Sequence, residues 1–270
     1  MKKVVLALVL ILVVMTGRSQ SFEGIMHWSM KMDITDPEMK AKAEEAKKKA
    51  NDPANQARIK EMQAKMNDPQ FKAMLESNPQ MKAQVETLMK SMVAGDMSSM
   101  MPTGVTIKLK GGNSLISIQG GMMDKNDALY LADKDQTYAI NNPAKSYMVM
   151  KKNTTTTPHE KPKITKTSET AKIMGYNCTK YLIEQNGPDG NSMKINYWTT
   201  TEIKDIDMKS LAKQQMGNQS LIYADVEGVP VKIEMAMPQG LMVMEMTDIK
   251  KESLPASDFT VPAGYTETKI

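Results

Sequence analysis

The sequence predicts an α+β protein in which one large, curled antiparallel sheet forms an incomplete barrel and a helical insertion follows the first strand. Polar and apolar residues alternate along most of the chain, which is typical of strands with one buried face. The loops between the alternating segments have hairpin lengths, so neighbouring strands should be antiparallel. Nine to eleven strands are expected in one sheet, and a sheet of that size curls and leaves a concave face to fill.

The composition excludes several classes of protein. The chain has 270 residues and a formal charge of +4, which is too small to indicate a nucleic-acid partner. Two His and one Cys argue against most metalloenzymes and against a disulfide scaffold. Aromatic residues make up 5% of the chain whereas Met occurs 28 times, so thioethers must fill volume that aromatic rings fill in most cores.

Residues 1–19 have the pattern of a secretory signal peptide. Lys2 and Lys3 precede an apolar run at 4–15, and Gly17 and Ser19 supply the small residues of a cleavage site. The run is shorter than the roughly 20 residues of a spanning helix, and no later apolar run is longer. We therefore expect an exported, soluble protein of the periplasm or the extracellular space, with no transmembrane segment after the signal is removed.

The first strand is the clearest element of the sequence. From Phe22 to Ile34 the apolar residues occupy every second position, and His27 falls on the polar face. Composition then changes at Asp36-Pro37, and residues 36–101 are rich in Ala, Lys, Glu and Met. Asp or Asn followed by Pro is a helix start signal, and it occurs four times in this segment, at 36, 52, 68 and 78. Three or four short helices are expected in this insertion.

The β domain is predicted to comprise residues 20–35 and 102–270. Its later strands are expected at 105–109, 114–119, 128–132, 137–140, 146–150, 164–170, 178–185, 193–199, 231–237 and 241–250. A helix is expected at 207–216. Cys178 has no partner in the chain and is interpreted as a small buried residue, and His159 as a loop residue.

No catalytic residue is predicted. The sequence contains no G-x-S-x-G, H-E-x-x-H, C-x-x-C or glycine-rich phosphate motif, and neither His is placed for a triad. We therefore expect a protein that is not an enzyme and has no cofactor.

Methionine pairs are the candidate ligand-binding residues. The M-x-M pattern on a strand directs both thioethers to one face, and it occurs in the strands that carry Met148, Met150, Met235, Met237, Met242, Met244 and Met246. Such a face suits an ordinary core, the wall of a lipid or acyl-chain pocket, or Cu(I), which prefers soft ligands.

The helical insertion is predicted to be a lid. Both faces are apolar around 147–150 and 242–246, so the second face needs cover. The stripe of Met81, Leu88 and Met92 in the insertion is the expected cover, and it is expected to admit an apolar guest.

Four segments resemble the exported bacterial family catalogued as domain of unknown function 4412: Phe22-Glu23-Gly24, Ile173-Met174-Gly175-Tyr176-Asn177-Cys178-Thr179-Lys180-Tyr181, Tyr197-Trp198-Thr199-Thr200 and Asp258-Phe259-Thr260-Val261-Pro262-Ala263-Gly264-Tyr265. That family is similar to the lipoprotein-carrier (LolA/LolB-like) group. The resemblance implies an incomplete barrel with helices that close its mouth over an apolar cavity, and it supplies no catalytic residue.

A second resemblance concerns residues 67–81, which are similar to the Asp-Pro/Asn-Pro helical module of Hsp70/Hsp90-associated co-chaperones.

Three hypotheses therefore remain open at this point. The first is a binding protein of the cell envelope for a lipid or lipoprotein acyl chain. The second is an envelope structural or interaction protein whose insertion binds a partner's amphipathic helix, and the third is Cu(I) binding by Met pairs.

Overall fold

Twelve strands form a single open sheet. The structure is a computed structural model that describes residues 22–50, 52–94, 101–150, 162–186, 192–206, 208, 211, 225–237 and 240–268. In this part of the chain the strands are β1 (Gly24–Ile34), β2 (Gly104–Lys110), β3 (Asn113–Gln119), β4 (Asn126–Leu131), β5 (Gln136–Asn141), β6 (Ser146–Met150), β7 (Lys163–Ile173), β8 (Tyr176–Asn186), β9 (Ser192–Thr200), β10 (Val229–Met237), β11 (Gly240–Lys251) and β12 (Thr266–Glu267).

The order of the strands confirms the predicted curled antiparallel sheet. It runs β12-β6-β5-β4-β3-β2-β1-β11-β10-β9-β8-β7, so β1 lies in the middle, between β2 and β11. Neighbours pair antiparallel except for β12, which pairs parallel to β6. The expected number of nine to eleven strands was too low, because β12 has only two residues and no alternation to reveal it.

Among the described residues between β1 and β2 there are four helices, each beginning at the Pro of an Asp-Pro or Asn-Pro pair. They are α1 (Pro37–Ala50), α2 (Pro53–Met66), α3 (Pro69–Ser77) and α4 (Pro79–Ala94). Asp68 accepts hydrogen bonds from the backbone N–H groups of Gln70 and Phe71, both at 3.0 Å. Asp36, Asp52 and Asn78 cap the other helices in the same way. The predicted start signals are therefore correct, because each cap satisfies N–H groups that have no partner within the helix.

The helices pack mainly on one another. Ile59 of α2, Leu75 of α3 and Met89 of α4 are buried among them. The principal contact of the helices with the sheet module is between α4 and the 3-10 turn Gly121–Met123, which joins β3 to β4. The insertion is therefore a small packed unit at the end of the sheet where β4 begins.

The inner face of the sheet carries the main core. The alternate residues of β1 that were predicted to be buried, such as Met26 and Trp28, are 2% and 7% exposed. They pack in one cluster with the inward residues of the neighbouring strands, among them Ile107, Ile233 and Tyr197. The period-two alternation thus predicted the buried face correctly.

The segment that joins β9 to β10 adds to this core. Leu211 and Val226 are buried in the cluster, and Met208 packs against it. Most of the helix predicted at 207–216 lies outside the described residues, as do the predicted leader at 1–19 and His159. Within the described residues, no helix is both long and apolar enough to cross a membrane.

The C-terminal segment covers the outer face of β4 to β6. Leu254 and Phe259 are buried there with Leu129 and Ile140, and Tyr147 packs against the same cluster. The prediction that the insertion helices supply this cover was wrong at β6. The C-terminal segment reaches this face because its 3-10 turn, Ala256–Phe259, lies against β3 and β4.

Candidate functional site

The inner face holds a hollow of about 630 Å³ at the β4–β6 end of the sheet. Its surface is mainly apolar, and its lining includes Ile118 of β3, Met123 of the 3-10 turn and Thr268 beyond β12. A cavity of this size falls in the range of small-molecule sites, roughly 300–1,000 Å³. The inner core therefore does not fill the sheet completely.

Strand register places the lining of β4, β5 and β6 in rows. Ala128 pairs with Ala139, and Ala139 pairs with Met148, so one small-residue row crosses the middle of the hollow. Two of its three members are Ala, and a methyl group fills little of the space above a strand. This row of small side chains explains locally why the sheet is hollow here.

A second row lies at the end of the hollow where β4 and β6 begin. Asn126 pairs with Asn141, and Asn141 pairs with Ser146, so their side chains share the inner face with the alanine row. All three line the hollow and are half-buried. Asn141 Oδ1 accepts a 2.9 Å hydrogen bond from the Ala144 N–H in the β5–β6 turn.

Met123 connects the hollow to the helical insertion. It lines the cavity, and its turn is the one that α4 contacts. The insertion therefore lies beside the polar end of the hollow, where the strand ends are open.

Two of the predicted ligand-binding methionines line the hollow. Met148 and Met150 alternate along β6 and both contribute to the lining. The others lie on β10 and β11 and belong to the filled part of the inner face: Met235, Met244 and Met246 are buried, and Met237 and Met242 are half-buried. The structure thus brings one M-x-M pair to the cavity and uses the remaining pairs as core.

A row of three methionines crosses β1, β11 and β10. Met32 pairs with Met242 in one direction, and Met242 pairs with Met235 in the other. This row is the best candidate for the hypothesised Cu(I) site, because its three thioethers lie on one face of the sheet. Among the described residues, no group of three His, Cys, Asp or Glu side chains could hold a metal ion.

The predicted lid residues of α4 do not line the hollow. Met81 and Leu88 are exposed, and Met92 is half-buried. Leu88 instead borders a groove of about 430 Å³ between the helices, with Val85, Phe71, Met62 and Met66. This groove within the insertion is therefore the candidate site for a partner's amphipathic helix.

The row of Asn126, Asn141 and Ser146 was not predicted from the sequence. Each residue lies at a strand end, and such residues are usually interpreted as turn residues. Pairing β4, β5 and β6 as consecutive hairpins could have revealed the row, since the register then follows from the turn lengths.

Among the described residues that line the hollow there is no cationic side chain. The lining also includes Asp127, but Asp127 pairs with Ile140 of the outer-face cluster, so its carboxylate lies on the outer face of β4, where it accepts a 2.6 Å hydrogen bond from Asn142 Nδ2. His27, which was predicted on the polar face, lies on the outer side of β1, with Nδ1 and Thr106 Oγ1 3.1 Å apart. Cys178 is 1% exposed, and burial raises the pKa of its thiol, which keeps it protonated and unreactive.

The fold and site together define an open, curled antiparallel sheet with a helical insertion at one end and an apolar hollow on its inner face. The chain belongs to the family described as domain of unknown function (DUF4412), whose model matches residues 92–265. The suspected family is therefore confirmed. The match covers β2 through β11 and most of the C-terminal segment, but leaves out β1 and nearly all of the insertion.

The chain is also similar to solved structures. It is 21% identical to PNGF-II, in a structure solved in the C2 space group, with a TM-score of 0.37. The match covers 61% of this chain and 28% of that chain. It is 12% identical to LprF from Mycobacterium bovis, with a TM-score of 0.28, covering 63% of this chain and 84% of that chain.

A third similar structure is the LolA superfamily protein NE2245 from Nitrosomonas europaea, at 13% identity and a TM-score of 0.25, covering 58% of this chain and 80% of that chain. No curated protein matches the chain.

Proposed function

We propose that the protein is a non-enzymatic binding protein of the cell envelope that accepts a hydrophobic ligand, a lipid or the acyl chain of a lipoprotein, in the hollow of its sheet. The observation that carries this proposal is the 630 Å³ cavity with its mainly apolar surface. Apolar surface left open to water is unfavourable, and each CH₂ group that enters such a site gains about 0.8 kcal/mol.

The lining favours binding over catalysis. Its described residues include no His, Cys, Lys or Arg side chain, and the Asp127 carboxylate lies on the opposite face of β4. General acid–base chemistry normally needs two groups with separated pKa values or a nucleophile beside a base. A hydrophobic guest needs neither, and the flexible thioethers of Met123, Met148 and Met150 can adapt to its shape.

The signal-like residues 1–19 support a site of action outside the cytoplasm. The position of the insertion supports a gating role, because α4 contacts the turn that carries Met123. In this proposal the helices do not lie across the hollow; they hold one side of its entrance.

The test is to block the hollow and measure ligand binding. Ala139 is the central member of the small-residue row, so Ala139→Trp should fill the cavity and lower the affinity for a fluorescent fatty-acyl probe by at least about tenfold, or 1.4 kcal/mol. Ala236→Trp is the matched control, because Ala236 is exposed on β10. Organic extraction of the purified wild-type protein should also yield a co-purifying lipid.

Two results would contradict the proposal. One is a wild-type protein that carries no lipid and does not bind the probe. The other is equal probe affinity of the folded Ala139→Trp and Ala236→Trp variants, since the probe would then lie elsewhere.

The groove between the helices favours a second candidate function, the binding of a partner's amphipathic helix. Leu88 is 44% exposed at this groove, and Met62, Met66 and Phe71 line it. Leu88→Lys should abolish the binding of such a helix and leave the acyl probe unaffected. If Leu88→Lys instead weakens probe binding, the result would favour one lipid site that includes both the groove and the hollow.

A further inference from the structure

The polar end of the hollow offers neutral hydrogen-bonding groups. Asn126 and Asn141 present amides, and Ser146 presents a hydroxyl, on three adjacent strands. Neighbouring strands lie about 4.8 Å apart, so the three side chains cover a strip about 10 Å long. This strip matches the dimensions of a small polar headgroup.

These groups retain capacity for a ligand. The turn uses only the oxygen of Asn141, through the Ala144 N–H, which leaves its Nδ2 group available. The side chains of Asn126 and Ser146 make no hydrogen bond to any other residue that the structure describes. Each can both donate and accept, so together they can satisfy a hydroxyl or a carbonyl group.

The electrostatics at this end disfavour an anion. Among the described residues that line the hollow there is no Lys, Arg or His. Lys125 and Lys145 lie in the adjacent turns and are exposed, so water solvates them. A bound carboxylate or phosphate would lose hydration and would gain no counter-ion from these described residues.

The volume limits the apolar part of the ligand. A cavity of about 630 Å³ has the size of a site for one small molecule, and the alanine row provides one continuous path from the polar row to Met150. One acyl chain fits this description better than the several chains of a membrane lipid.

We propose that the hollow selects single-chain amphiphiles with an uncharged, hydrogen-bonding headgroup, of which a monoacylglycerol is the simplest example. The headgroup lies at Asn126, Asn141 and Ser146, and the acyl chain lies over Ala139 toward Met150. This inference rests on the proposed function and names the ligand class of the same site.

The test compares two ligands that have the same acyl chain. Monopalmitoylglycerol and palmitate are titrated against the full-length mature protein, by displacement of the fluorescent acyl probe, at a pH at which palmitate is ionised. We expect monopalmitoylglycerol to bind at least about tenfold more tightly, because an unpaired charge costs more than 1.4 kcal/mol to bury.

A charge substitution then tests the position of the headgroup. Asn126→Lys places a cation in the polar row, so the preference should shift by about tenfold or more toward palmitate. Thr170→Lys adds the same charge on β7, where Thr170 is exposed, and should leave the preference unchanged. Asn126→Leu provides a variant without a new charge, and it should weaken monopalmitoylglycerol binding with little effect on palmitate.

The outcomes separate this inference from the proposed function. Equal or tighter binding of palmitate to the wild-type protein overturns the headgroup selectivity while leaving a lipid site in place. Failure of both ligands and of the probe to bind removes the proposed function and this inference together.

Discussion

Glu23 and Lys110 form an ion pair of 2.9 Å where the C-terminal segment begins to cross the outer face of the sheet. Glu23 Oε1 also accepts a hydrogen bond of 2.6 Å from the Leu254 N–H, and Lys110 Nζ donates to the Leu254 carbonyl. Both partners of the ion pair therefore hold the backbone of the same residue. Farther along, Lys108 and Asp258 form a second ion pair at 2.7 Å.

This arrangement predicts a loss of stability in acid. The hydrogen bond from Lys110, with that from Leu254, lowers the pKa of Glu23 below its ordinary value of 4.5. A lowered folded-state pKa means that the unfolded state takes up the proton first. The contribution of Glu23 is thus complete above about pH 4.5 and is lost as the pH falls from there through the lowered pKa.

The measurement is the free energy of unfolding in urea as a function of pH. Glu23→Gln should be less stable than the wild-type protein at neutral pH and should lose less stability below pH 4.5. Glu252→Gln is the charge-matched control, because Glu252 is an exposed neighbour of the same segment. Identical pH profiles for wild type and Glu23→Gln would contradict the assigned role.

Met246 should show that the inner-face methionines are core residues. It is 1% exposed and pairs with Trp28 across β1 and β11. Met246→Ala removes most of a buried side chain and should lower the free energy of unfolding by about 2–5 kcal/mol. Met246→Leu keeps the volume and should cost less than about 1.5 kcal/mol. A loss of less than 1 kcal/mol for the Ala variant would show that the site can collapse or is not packed.

The Cu(I) hypothesis is tested at the methionine row. Met242 lies between Met32 and Met235, and Met244 lies two residues farther along the same strand. If these residues serve as core, the combined Met242→Leu and Met244→Leu variant stays folded, and the wild-type protein yields Cu(I) to a chelator as readily as the variant does. Cu(I) retained by the wild type and lost by the folded variant would support the copper hypothesis instead.

Removal of the helical insertion tests its relation to the hollow. The Met30 N–H donates to the Thr103 carbonyl at 2.8 Å, so β1 is held against the chain that follows the insertion by a contact outside residues 36–101. Excision of residues 36–101, replaced by a short Gly/Ser linker, should therefore leave a folded sheet. We expect weaker retention of the acyl probe, because the support of the Met123 turn is lost.

Two other results would discriminate between the functions. Undiminished probe binding by the excised protein would refute a gating role for the helices. Undiminished probe binding, together with loss of binding to an amphipathic peptide that the wild-type protein binds, would favour the interaction function of the insertion.

Most of the fold could be predicted because its signals are local. The alternation in β1 and the four Asp-Pro or Asn-Pro pairs of the insertion each act within a few residues, and the structure contains the corresponding strand and helices. What packs on each face depends on contacts that are distant in the sequence. Phe259 covers β3 and β4 although nothing near Phe259 in the sequence indicates where it will pack.

The site was only partly predictable for a related reason. Methionine spacing identifies an apolar face but does not distinguish a filled face from a hollow one. Met148 lines the cavity and Met246 is in the core, although both occur in M-x-M patterns. The two methionines differ in their surroundings. Leu211 and Val226 are buried in the core cluster that contains Met246, whereas the small side chains of Ala128 and Ala139 leave space on the same face as Met148.

The central position of β1 has a consequence for the order of folding. Its two neighbours differ greatly in sequence distance: Ser29 faces Gly104 on one side and Glu245 on the other. Strands β2 to β6 and strands β7 to β11 can each pair within their own group, but β1 cannot join the two groups until β11 has been synthesised. Because closing so long a loop is entropically costly, the joining of the groups at β1 and β11 should be the slow step in reaching the native state.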